Sequence, residues 1–292
     1  MRVNVNKFVL IAAPFAWLLI FFLFPFGILL YISFVQMGEG LSPFSANILD
    51  TTTYTLSNYL SIFTGEEEFL DTIYIEAFIR SLIYSGITSF FCLLIGFPFA
   101  YFVSRQKPSV RSVMLLMIML PFWTSFLLRV YAWKGILADG GIINQFLQFI
   151  GVVDEPVQLL YTDFAMLVGM VYVYLPFMVL PLYTSLTKIN PTLYEAAEDL
   201  GSRPLTVFFH VTVPLCKAGI IAGLMLVFIP AVGEFVIPSL LGGADNILIG
   251  RVVWDELFSS NNWPRSSALA IVLTLLIVPP MALYYHFTSE EH

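Results

Sequence analysis

Six stretches of the chain are apolar for about 20 residues or more, roughly 8–35, 77–104, 112–131, 162–187, 214–239 and 264–287. About 20 mostly apolar residues are what a helix needs to cross the hydrocarbon core of a bilayer. The pattern therefore predicts an all-α membrane protein with six transmembrane helices. The segments between them are too short to hold a core of their own, which makes residues 1–292 a single transmembrane domain. The first stretch follows Arg2 and Lys7, is too long for a signal-peptide core, and ends on no small-x-small cleavage pattern, so it is read as a retained span. Most stretches carry Pro or Gly: Pro14, Pro25, Gly96, Pro98, Pro121, Pro176, Pro181, Pro230, Pro238, Pro279 and Pro280. Neighbouring helices can satisfy the backbone groups that these residues free.

The polar segment 190–214 predicts a helix of another kind. Asn190 suits an N-cap and Pro191 the first helical position, where its missing N–H costs nothing. Gly201 supplies the left-handed residue that stops the helix. Between them Leu193, Ala196, Ala197 and Leu200 recur at i, i+3, i+4 and i+7 and form an apolar stripe, with Glu195, Glu198 and Asp199 off it. Alanines at the centre of such a stripe admit the close approach of a partner, the helix-in-groove mode of recognition. Pro204 starts a second short helix that Pro214 closes. Periodicity alone names no partner, since an amphipathic helix lying between two spans has the same pattern.

Composition agrees with the membrane reading: 59% of residues are hydrophobic and 11% charged, against about 25% charged in soluble domains. The net charge of −7 gives no basic footprint for nucleic acid. Lys and Arg set the orientation. Eight of them (Arg2, Lys7, Arg105, Lys107, Arg111, Lys188, Arg203 and Lys217) fall on one side, and five (Arg80, Arg129, Lys134, Arg251 and Arg265) on the other. The excess puts both termini and the Glu195 segment in the cytoplasm, with full inversion as the competing orientation. Glu39, Asp50, Glu66, Glu67, Glu68, Asp71, Glu76, Asp139, Asp154, Glu155, Asp163, Asp245, Asp255 and Glu256 then lie outside. Two outer loops hold short apolar-periodic runs after a Gly pair, 142–153 and 247–258. These either shape an outer gate or pack on the bundle.

Chemistry for catalysis is missing. The chain has no G-x-x-x-x-G-K-[ST], no H-E-x-x-H, no G-x-S-x-G and no pair of acids within one span. Cys92 and Cys216 read as small buried apolar residues, and His210, His286 and His292 have no metal-ligand spacing. The chain is therefore read as non-catalytic, with no metal or cofactor of its own.

Glu195-Ala196-Ala197 is followed after three residues by Gly201, and nine residues later by Val211-x-Val213-Pro214. This resembles the EAA loop of the membrane subunits of ATP-binding-cassette importers, whose pattern ends I-x-L-P where this one ends V-x-V-P. The resemblance continues in the third-span run from Leu120-Pro121-Phe122-Trp123 to Tyr131-Ala132-Trp133 and in Tyr174-Leu175-Pro176-Phe177. It extends to the run from Pro230 through Gly233-Glu234-Phe235 to Gly242-Gly243, and to Asn262-Trp263-Pro264. From about residue 77 onward the chain is similar to the first permease subunit of spermidine/putrescine importers, most like the putrescine type. Residues 1–76 match only in layout.

The resemblance implies the type I importer permease fold and a bacterial inner-membrane location. It implies as partners two copies of an ATPase subunit that binds the ATP and Mg, a homologous sister permease, and a periplasmic or lipid-anchored polyamine-binding protein. It further implies that Glu195, Ala196, Ala197, Gly201 and Pro214 form the ATPase-coupling segment, with Glu195 making a polar contact and Gly201 allowing the turn. A permease for another solute (ferric ion, sulfate or an amino acid) is the alternative within transport. A membrane enzyme or passive channel is the alternative from another class.

A polyamine presents ammonium groups that leave water only for carboxylates, carbonyls or aromatic faces. Glu234 is the one acid placed inside a predicted span, and it follows Gly233 between Pro230 and Pro238. Intramembrane ionisable residues are functional candidates. Trp123, Tyr172 and Tyr174 lie near mid-span and are candidates for the same path, though aromatic residues in spans also simply pack. Arg129 sits at a depth similar to Glu234. Two compatible readings therefore stand side by side: Glu234 lines the path, or it forms a structural pair with Arg129. Arg105, Lys107 and Arg111 are read as anchors of a cytoplasmic turn.

Overall fold

The computed structural model describes residues 7–38, 44, 54–64, 73–244 and 246–289. Glu39, Asp50, Glu66, Glu67, Glu68, Asp71 and Asp245, with Arg2 and His292, lie outside the described residues. The described chain is helical apart from connections and one isolated bridge between Val35 and Tyr54. In order, α1 (Lys7–Leu18) passes through a π turn (Leu19–Leu23) into α2 (Phe24–Ser33), followed by α3 (Ser57–Thr64) and α4 (Ile73–Ser104). Next, α5 (Pro108–Met119) leads through a 3-10 turn (Leu120–Trp123) to α6 (Phe126–Leu137), α7 (Ile142–Phe149) and α8 (Asp163–Leu186). The polar segment forms α9 (Thr192–Asp199), α10 (Pro204–Val207), a π turn (Phe208–Thr212) and α11 (Val213–Leu215). The chain ends with α12 (Lys217–Val232), α13 (Val236–Leu241), α14 (Ile249–Phe258) and α15 (Trp263–Ser289).

Among the described residues, four helical segments are long and apolar enough to cross a membrane: Pro14–Ser33, Ile73–Ser104, Asp163–Leu186 and Trp263–Ala282. Two bent pairs bring the number to six if each is counted as one span. The bent pairs overlap the predicted stretches 112–131 and 214–239, both of which carry proline. Pro108–Trp123 meets Phe126–Phe149 at 92°. There Pro121 lacks an N–H, and Thr124 and Ser125 adopt extended ψ angles of 156° and 136°. The Thr124 hydroxyl turns back to donate to the Pro121 carbonyl at 2.7 Å.

Pro204–Leu215 meets Lys217–Val232 at 69°, the bend falling on Cys216. Pro204 opens the helical run Pro204–Leu215, and Pro214 stands one residue before its end at the Cys216 bend. The π turn just ahead of it and the proline together mark where this helix deforms.

The chain divides into two compact units, one of Met1–Glu76 with Val252–Leu276, the other of Ala77–Arg251 with Ile277–His292. In the first, Phe15 and Trp17 of α1, Phe21 and Phe22 of the π turn and Phe24 of α2 are exposed, as befits a helix surrounded by lipid or another chain, while Ile32 and Ser33 at the end of α2 are buried. The carbonyls left unpaired at the end of α2 are met by Asn58 on α3, whose Nδ2 donates to Ser33 O (3.0 Å) and Val35 O (2.9 Å). Before α15, Asn262 Oδ1 accepts from Arg265 N at 3.1 Å and Ser266 Oγ donates to Val253 O at 2.9 Å, closing the α14–α15 turn.

The second unit is built on α8 and α12. Met166, Met170, Met178 and Leu182 of α8 are buried, as are Val227 and Ala231 of α12. Gly219 and Gly223 set the distance between these helices. A Cβ at Gly219 would strike Ser185 Oγ and the Pro181 carbonyl, and one at Gly223 would come within 2.6 Å of Met178 Sδ. This is the small-x-x-x-small packing that lets helices approach in a membrane. Gly219→Leu is expected to cost roughly 1–3 kcal/mol or more of stability by overpacking, read as a lowered melting temperature in detergent. Gly135→Ala, where a Cβ meets nothing within 4 Å, serves as the control.

Candidate functional site

The 190–215 segment carries its caps as local chemistry demands. Asn190 Oδ1 accepts from Thr192 N at 3.1 Å and opens α9. Gly201 has φ +73°. Its N–H donates to Glu198 O at 2.8 Å, and Ser202 N–H donates to Ala197 O at 3.1 Å. This pair of bonds is the Schellman arrangement that ends a helix on a left-handed residue. Glu195 and Ala196 are exposed and Ala197 is half-buried. Of the apolar stripe, Leu200 is 85% exposed and Leu193 is also uncovered, and beyond α9 Leu205 (73% exposed) and Phe209 are open as well. Contiguous exposed apolar side chains rimmed by acids form the kind of surface that a protein partner covers.

The second candidate lies where α12 stops. Residues 233–235 leave the helix, and α13 begins at Val236. Glu234 Oε1 accepts from Val236 N (2.9 Å) and Ile237 N (3.3 Å), which caps α13. Oε2 accepts from Tyr174 OH at 2.6 Å. The half-buried carboxylate is thus held by three donors drawn from two helices. The expected structural pair with Arg129 is not formed. Arg129 follows the bend of its own segment, and its guanidinium lies 4.8 Å from the Phe122 ring centre and 5.8 Å from that of Phe126.

Of the aromatic candidates, only Tyr174 meets Glu234. Tyr172, two positions away and so on another face of α8, packs edge-on against Trp133 at 5.5 Å. Trp123 is 79% exposed at the end of the 3-10 turn. Beside Tyr174 lies a cavity of about 520 Å³, apolar but for the tyrosine, lined by Phe177, Met225, Leu226, Ile229, Pro230 and others.

Sequence reasoning missed one junction. Asp163, counted there only as an outer acid, accepts from Tyr84 OH at 2.5 Å and from Asn246 Nδ2. It borders a cavity of about 710 Å³ with Arg80 and Tyr161. Thr162 caps α8 by accepting from Ala165 N at 3.2 Å, so Thr-Asp ahead of an apolar run was the available signal.

A family described as "Binding-protein-dependent transport system inner membrane component" matches residues 92–290. The spermidine/putrescine transport system permease protein PotB of Haemophilus influenzae is 39% identical over 287 residues, 98% of this chain and 96% of its own. That of Escherichia coli is 36% identical over 269 residues, 92% of this chain and 93% of its own. Among solved structures, a bacterial ABC transporter involved in the import of the acidic polysaccharide alginate covers 98% of this chain and 97% of its own, with a TM-score of 0.72 and 16% identity. At that identity the likeness is one of fold. The profile match and the near full-length relatives place this chain in the family of binding-protein-dependent transport system inner membrane components, as a multi-pass permease subunit that performs no catalysis itself.

Proposed function

We propose that this chain forms half of the membrane pathway of an ATP-driven polyamine importer that takes putrescine, spermidine or both. The observation that carries the reading is the 39% identity, over 98% of the chain, to a permease named for spermidine/putrescine transport. The exposed stripe of α9 with its rim of acids supports docking of a separate ATPase at Glu195, Ala196, Ala197 and Gly201. Two ATPase subunits, a homologous sister permease and a solute-binding protein complete the transporter, with the termini and α9 in the cytoplasm. Residues 1–292 work as one membrane domain in it.

Transport proceeds by alternating access. Closure of the ATPase dimer moves α9, and the bends at Cys216 and at Thr124 and Ser125 let the spans follow. Glu234 supplies the negative charge for an ammonium group and Tyr174 an aromatic face beside it, which are the two kinds of partner that a desolvated cation needs.

The test is uptake into vesicles holding the reconstituted complex. ATP-dependent accumulation of labelled putrescine is expected to be competed by unlabelled putrescine and spermidine and not by sulfate, ferric ion or amino acids. If neither polyamine competes, the substrate assignment fails while the permease role stands.

A further inference from the structure

The three cations of the turn after α4 have different tasks. Arg111 holds the turn: its Nη2 donates to Ser104 O at 2.6 Å and to Gln106 O at 3.3 Å, closing carbonyls left open at the end of α4. Arg105 is therefore not needed for that purpose. Its guanidinium stands 4.3 Å from the ring centre of Tyr101 and 4.7 Å from that of Tyr194. Tyr101 is one turn back on α4, and Tyr194 is on the first turn of α9. One cation thus lies against two rings on two separate elements, beside a cavity of about 440 Å³ that Glu195 and Glu198 also line.

The row continues inward. Phe208, in the π turn ahead of the Cys216 bend, meets Tyr101 edge-on at 5.7 Å and Phe97 edge-on at 5.2 Å. Phe97 and Tyr101, four residues apart, share one face of α4, and Arg105 follows just past its end. The exposed helix α9, the bent segment 204–215 and the long helix α4 are therefore joined by one unbroken chain of side chains: Tyr194, Arg105, Tyr101, Phe208 and Phe97.

We propose that Arg105 is a positioning residue that couples α9 to α4, so that displacement of α9 by the ATPase is passed to the membrane-spanning helix through the Tyr101–Arg105–Tyr194 stack. The inference rests on the proposed function, because it takes α9 as the element that the ATPase moves. The contact suits the task. A cation over aromatic faces tolerates small shifts yet resists separation, and a side chain stacked on both elements keeps them together while either moves.

The experiment uses the complete reconstituted transporter. Arg105→Ala and Tyr194→Leu are each expected to lower ATP-driven uptake about tenfold, the scale set by losing a cation between two rings. The ATPase should still co-purify in wild-type amount and still hydrolyse ATP. Tyr194→Phe, which keeps the ring, and Arg105→Lys, which keeps the cation, should retain most of the uptake. The double variant should fall no further than the single ones, because both act at one link. Uptake within about twofold of wild type in Arg105→Ala would overturn the proposal. So would loss of the ATPase from that variant, which would make Arg105 a docking residue. If Arg105→Ala proves unfolded in detergent, Tyr194→Leu against Tyr194→Phe decides, and equal uptake in those two overturns the link. A wild-type complex that binds no ATPase counts against the proposed function instead.

Discussion

Replacing Gly201 by Asp is expected to abolish ATP-driven uptake and association of the ATPase while leaving membrane insertion intact. Gly201 holds φ at +73° to end α9. Most residues with a Cβ pay roughly 1–2 kcal/mol to stay there, Asn and Asp less, so Gly201→Asp differs from Gly201→Asn chiefly in charge. Aspartate adds a negative charge at a helix C-terminus, where the dipole already disfavours it. A Cβ at this position meets nothing within 4 Å, so no internal clash enters and the spans are untouched. The damage falls on the surface beside Leu200, the side chain left 85% exposed. Distorting the end of α9 and setting an unpaired charge at its docking edge is expected to weaken the ATPase by roughly a hundredfold or more. Co-purification and vesicle uptake measure it. Gly201→Asn, which tolerates the left-handed conformation, should retain much of both activities. Normal uptake in Gly201→Asp would mean that the ATPase engages elsewhere.

The second large effect is expected at Glu234. Glu234→Gln preserves the shape of the site: the amide oxygen still accepts from Val236 N and Ile237 N, and Tyr174 OH can turn to accept from the new NH₂. Only the charge is removed. If that carboxylate receives the ammonium group of the substrate, uptake should fall by about tenfold or more, the scale of one hydrogen bond to a charged partner, with assembly and expression unchanged. Tyr174→Phe should cause a smaller loss, since the ring remains and one of three donors goes. Glu234→Ala should also destabilise α13 by about 1 kcal/mol through loss of its cap. Wild-type uptake by Glu234→Gln would leave the residue a helix cap and nothing more.

Much of the local design is readable along the chain. Asn190 and Gly201 end α9 as their side chains dictate, because capping involves groups only two to five residues apart. Glu234 was singled out as an acid in an apolar stretch, and that inference needed no partner. Its partner was another matter. Depth along the spans pointed to Arg129, and Tyr174 was read only as a candidate for the cation path; the structure gives the bond to Tyr174. Arg129 turned to the rings of Phe122 and Phe126 once its segment bent by 92°. Arg105 was grouped with Arg111 as a turn anchor because the two are near in sequence, yet their guanidinium groups serve different neighbours.

What the sequence by itself determined is the class of protein, the apolar stretches and the form of the 190–214 segment. Transfer of side chains from water to lipid is nearly additive along a helix, so a running sum of residues is enough to locate segments that favour lipid. Capping and stripe periodicity are likewise properties of one short segment. Tertiary structure decided how sharply the helices bend, that Tyr174 holds Glu234, and that Arg105 joins α9 to α4. Those outcomes depend on which groups meet across helices. Tyr174 and Glu234 are separated by 60 positions in the chain, and no periodic pattern encodes such a meeting. The Glu195 segment was legible first for the same reason: everything that shapes it lies within itself.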